Sequence, residues 1–167
     1  MQFILARNQL ILLVLGCVVL VSAVYALADD AKKPLPPTTL LTGTVKTVDE
    51  QEALRLGFKP VQSRRELTPV FYDIDNNPHE LHQDVRGRSF RKDKRLCNRP
   101  VVLTVRKDSL NGPLRVVRVY VVDKSQVKHL DYWCEICAIA MYELKACDCC
   151  QGDIELRLRN VADPRKR

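Results

Sequence analysis

The sequence predicts a mostly β protein: a small antiparallel sheet or partly closed barrel, followed by a short C-terminal module organised by cysteines. Three observations carry this. Segments rich in Val, Thr and other strand-forming residues recur at 41–48, 69–74, 101–107 and 114–122. Asn111-Gly112 lies in the polar connection between the last two, as in a hairpin. Five of the seven cysteines crowd into residues 134–150.

The chain opens with Arg7 ahead of an apolar run from Leu10 to Ala28, which ends Ala26-Leu27-Ala28 before Asp29-Asp30. A positive start, an apolar centre and an A-x-A site describe a secretory signal over residues 1–28, so the remainder is expected to be exported, periplasmic or secreted. The run is also long enough to span a bilayer, and an uncleaved single-pass anchor is the alternative. Leu15-Gly16-Cys17 hints at a lipoprotein box, but apolar and small residues follow where a polar tether is usual. Residues 29–39, with Pro34, Pro36 and Pro37, read as an extended linker.

The β domain is expected over 40–128. Its first strand alternates Leu41, Gly43, Val45 and Thr47 against Thr42, Thr44, Lys46 and Val48. Asp49 to Leu56 suits one or two helical turns, stopped by Gly57 and Pro60. A strand from Pro69 to Ile74 then ends at Asp75-Asn76-Asn77-Pro78. Asp73, Asp75 and Asn77 mimic the start of a calcium loop, but Pro78 stands where such a loop needs Gly. His79 and His82 lack a third placed ligand.

In the best-defined pair of strands, Val101, Leu103 and Val105 are expected to face the core, matched by Val117, Val119 and Val121. The opening Thr-Gly-Thr-Val strand makes an OB-like barrel one topology for the set.

Between the strands expected at 69–74 and 101–107 lies the basic run RGRSFRKDKR, with Arg86, Arg88, Arg91, Lys92, Lys94 and Arg95. Read as a solvated loop it only adds charge; read as a site it grips polyanions. The whole chain has 27 Lys+Arg against 20 Asp+Glu, a net charge of +7. That balance favours an acidic surface polymer or another protein as partner; nucleic acid is not expected of an exported chain, and membrane contact would come only through an uncleaved N-terminus.

The specific chemistry lies in Cys134-x2-Cys137-x9-Cys147-x2-Cys150, expected within a module over 129–159 that precedes a basic tail over 160–167. Two paired-cysteine turns, with enough chain between them for a short hairpin, suit one tetrahedral ion. The pattern over 132–159 resembles a zinc ribbon. That resemblance implies zinc on Cys134, Cys137, Cys147 and Cys150, with iron the less favoured metal. Zinc-ribbon and rubredoxin turns often carry Pro after the first cysteine and Gly after the second; here Glu135 and Ala138, and Asp148 and Gln151, take those places. This departure counts against a rubredoxin-like iron site in particular. Ile139, Met141, Leu156 and Leu158 are expected to cover the metal, with Trp133 as an anchor. Lys145, Arg157 and Arg159 would offset the charge of four thiolates.

Cys97 and Cys149 are left over, and an oxidising compartment would favour a disulfide between them. A framework of disulfides through all six cysteines after Cys17 is the competing reading, and a CxxC redox pair is a third. No GxSxG, HExxH or Ser/His/Asp grouping points to an enzyme, and four thiolates leave a zinc ion no open position. The function expected is therefore a binding or structural module, with a redox or electron-transfer role as the alternative.

Overall fold

The computed structural model describes residues 36–61, 67–109 and 111–166. The signal or anchor at 1–28 and most of the linker lie outside them. Among the described residues no helix is long and apolar enough to cross a membrane.

The order is β1 (Thr38–Val48), α1 (Glu50–Arg55), β2 (Thr68–Asp73), β3 (Pro78–Glu80), α2 (Val85–Lys92), β4 (Pro100–Lys107), β5 (Leu114–Asp123), β6 (Gln126–Cys134), β7 (Ile139–Met141) and β8 (Glu155–Asn160). All eight strands join one antiparallel sheet, ordered β3-β2-β1-β4-β5-β6-β7, with β8 also on β6. The mostly β expectation is met. The sheet runs without a break through the expected module boundary at 128/129, because β6 belongs to both parts.

β1 is the pivot. Its first half pairs with β4 and its second half with β2, the two ladders overlapping at Gly43 and Thr44. A Cβ on Gly43 would stand 2.0 Å from the Tyr72 carbonyl oxygen, so only glycine lets the two strands meet there. The sheet is open, with no ladder between β3 and β5. Its curl nevertheless carries Leu81 to a parallel bridge with Leu114, where the His82 amide donates to the Leu114 carbonyl at 2.9 Å. Strands β1 to β5 thus form a curled open sheet whose two ends meet at this one bridge.

The core fills the curl: Val45, Phe71, Leu81, Phe90, Leu96, Leu103, Val105 and Leu114 are all buried. The second half of the expected hairpin pattern needs a correction. Val116, not Val117, faces the core on the early part of β5, and the inward pattern resumes at Val119 and Val121. The cause is a bulge: Thr104 pairs with Arg118 and Val105 with Val116, leaving Val117 as the extra residue. One inserted residue reverses the face of everything beyond it, and alternation alone does not reveal where.

The basic run is also not a loop. Residues 85–92 form α2, capped by Asp84 Oδ1 accepting from the Gly87 amide at 3.1 Å. Gly87, Ser89 and Phe90 are its buried face. A Cβ on Gly87 would meet the His82 carbonyl oxygen at 1.8 Å, which fixes how closely the helix start lies against the end of β3. The Asp73 turn is likewise structural. Its carboxylate accepts from the Asp75 and Asn77 amides at 3.0 and 2.9 Å and pairs with His79 at 2.8 Å, bracing the β2–β3 connection.

Candidate metal centre

Two turns of the same construction bring the four cysteines together. In the first, Cys134 ends β6 and pairs with Ile139 at the start of β7. In the second, the Cys147 amide donates to the Gly152 carbonyl at 2.9 Å, the same five-residue offset. Both turns pass through a left-handed residue directly after their second cysteine, Ala138 at φ 53° and Gln151 at φ 59°. These are the places where related turns carry glycine, so the backbone takes the expected path without the residue that favours it.

The four Sγ atoms lie within 4.8 Å of one another, with Cys134 and Cys150 at 3.5 Å. Four thiolates about 2.3 Å from a tetrahedral ion stand roughly 3.8 Å apart, so the set fits a single metal. Cys134 and Cys147 are buried and Cys137 and Cys150 half-buried. Each first cysteine has amides aimed at its sulfur. Those of Cys150 and Cys149 hold the Cys147 thiol down to about 7. The Cys137 amide works the same way on Cys134, but burial and the neighbouring thiols outweigh it and push that thiol up. Cys137 is pushed up by Cys149, Cys150 and burial. Crowded thiols without a cation disfavour further ionisation; a bound cation reverses that balance.

Below the cysteines the centre is fastened to the curled sheet by polar contacts that no local motif announces. Arg88 reaches across from α2 to form a two-point pair with Glu143, at 3.1 and 2.8 Å. Arg86 lies over the Tyr142 ring at 3.9 Å. Arg95 holds the buried Asp93, whose Oδ2 also accepts from Tyr132 Oη. Of the six cations expected to form a polyanion site, Arg86, Arg88 and Arg95 therefore have internal partners. Arg91 and Lys92 also have contacts, and Lys94 is exposed.

Of the cations expected to offset the metal site, Arg157 and Arg159 bind the buried Asp131, whereas Lys145 stays at the second cysteine turn, bound to Asp148 at 2.6 Å. Met141, Leu156 and Leu158 pack on the core as expected, but Ile139 is largely outside it and Ile136 at the turn tip is 77% exposed. Trp133 lies under the Arg157 guanidinium at 3.9 Å rather than within the core.

All six described cysteines are free thiols. Cys97 donates to the Phe90 carbonyl at 3.0 Å, and burial pushes its thiol up. Cys149 is exposed at the edge of the cluster. What the arrangement can do chemically is hold a metal ion through four sulfurs. No protein-family model, curated protein or solved structure matches the chain.

Proposed function

We propose that the chain is an exported binding or structural protein whose C-terminal ribbon is closed by one zinc ion on Cys134, Cys137, Cys147 and Cys150. The observation that carries the reading is the pair of equivalent turns, each directing amides at its first sulfur, that gathers four thiols within 4.8 Å. Zinc suits a shell of four thiolates that leaves no open position, and its role there is to hold structure rather than to activate water. Export rests on the N-terminal sequence.

The amides directed at Cys134 and Cys147 also favour a second reading, a rubredoxin-like iron site in electron transfer. Native mass spectrometry of the protein from its exported location, with metal analysis and a thiol count, separates the two. One zinc per chain and a colourless protein support the proposal. Iron with visible absorption selects the second reading. A metal-free chain lighter by about 2 Da per disulfide overturns both.

A further inference from the structure

Outside the metal centre, the fold assembles a basic face that no run of sequence contains. On β6, His129, Asp131 and Trp133 share one side of the sheet. Across the ladders their neighbours are Arg159, Arg157 and Glu155 on β8, and Tyr120 opposite His129 on β5. Arg118, two residues before Tyr120, lies on the same side and is exposed.

Asp131 is the one carboxylate at the centre of this face. It is fully buried and already holds Arg157 at 2.9 and 3.1 Å and Arg159 at 2.7 Å. Arg159 also contacts His129 Nδ1 at 3.2 Å, while its Nε and Nη1 make no contact of this kind and its side chain is 52% exposed. Among the described residues Arg118 has no carboxylate partner. Burial is the largest influence on the His129 imidazole and pushes it down; Asp131 pulls it up, and the nearby guanidiniums of Arg159, Arg118 and Arg86 push it down. Glu155 and Glu135 lie towards the Trp133 end, away from Arg118.

We propose that this face, formed by Arg86, Arg118, Arg157 and Arg159, binds a linear acidic polysaccharide. Arg86 lies 3.9 Å over the centre of the Tyr142 ring, which pre-orients its donor edge for the paired oxygens of a carboxylate; Arg157, over Trp133, already gives its Nε and Nη2 to Asp131 and adds charge rather than a free edge. The same stacking covers one side of each ring with a cation, whereas single-stranded nucleic acid needs open rings on which bases stack. The charge complementarity is thus to a polymer read through its anions.

The test is binding of alginate oligomers to the full chain at rising salt. The expected result is affinity that falls steeply with salt, and about fivefold weaker binding for Arg118→Gln and for Arg86→Gln, the scale of one exposed charge contact. Lys94→Gln, which removes an exposed charge of the basic run that is not among the four arginines of this face, is expected to leave binding unchanged. Among the described residues Arg118 has no carboxylate partner, so its variant is expected to unfold at the wild-type temperature. Salt-independent or absent binding overturns the proposal. Equal weakening by Lys94→Gln also overturns it, by showing that net charge alone acts. Tighter binding of oligothymidine of equal charge overturns the assignment of a polysaccharide.

Discussion

Tyr132 Oη donates a 2.9 Å hydrogen bond to Asp93 Oδ2 inside the protein, joining the strand that ends in Cys134 to the segment that follows α2. Burial alone would push the Asp93 carboxyl up. Donors from the Arg95 side chain and amide and from Tyr132 outweigh it and hold the carboxyl below its usual range. Tyr132→Phe removes one of these donors and leaves Asp93 with Arg95. A loss of about 1–2 kcal/mol is expected in urea unfolding. An unchanged midpoint would show that the bond adds nothing net.

Ala138 and Gln151 occupy the left-handed region that glycine enters without strain. Ala138→Gly and Gln151→Gly are each expected to stabilise the ribbon by about 0.5–1 kcal/mol, the steric relief less the added freedom of the unfolded chain. Thermal unfolding of the metal-loaded protein reads this. A lower melting temperature in both would mean that their φ values are not what limits these turns.

Loss of a ligand should act locally. Cys134→Ser and Cys147→Ser are expected to lose the metal and raise amide exchange across 132–152, while the β4–β5 pair stays protected. Cys149→Ser keeps the metal, since its sulfur lies outside the four-sulfur set. Metal loss in Cys149→Ser with retention in Cys150→Ser would reassign the fourth ligand.

Asp131 lies fully buried between Arg157 and Arg159. Burial pushes its carboxyl up, and the two arginines outweigh that and bring it below the usual range. Asp131→Asn is expected to cost about 2 kcal/mol, below the ~3–5 kcal/mol of a fully buried pair, because both arginines can turn to water. Denaturant unfolding measures it. The change leaves two arginines without their shared anion, so a variant as stable as wild type would place little weight on this contact.

His79 first, then the Asn77 amide, hold the Asp73 carboxyl at about 2. A group depressed in the folded state stabilises the fold above its unfolded value, near 4, and loses that contribution as the pH falls towards 2. The Asp73 carboxyl carbon resonance should therefore titrate near pH 2, and in His79→Ala it should move up towards the ordinary value. A wild-type midpoint near 4 would rule out the 2.8 Å contact with His79 as the dominant influence.

The strands and the clustering of the four cysteines were legible in the sequence because their signals are local. Period-two alternation marks 41–48, 101–107 and 114–122, and the CxxC pairs announce a tight turn on their own. The short strands β3 and β7 have three residues each, too few to show a period. α2 was hidden by its composition: Gly87 and Ser89 are poor helix formers, and its buried face contains one large apolar residue, Phe90. Asp84 as a cap was the available clue to its start.

By itself, the sequence determined the chemistry: which residues favour strands, and which four sulfurs can converge on one ion. Only the tertiary structure decided which charges have partners. Arg88 finds Glu143 55 residues away, Arg157 finds Asp131 26 residues away, and Tyr132 finds Asp93 39 residues away. The bulge at Val117 and the left-handed turns at Ala138 and Gln151 belong to the same class. Strand and turn preferences act between neighbours in the chain and so are written in it. Ion pairs, bulges and strained turns are set by what the curled sheet brings into contact, and a linear pattern does not contain that information.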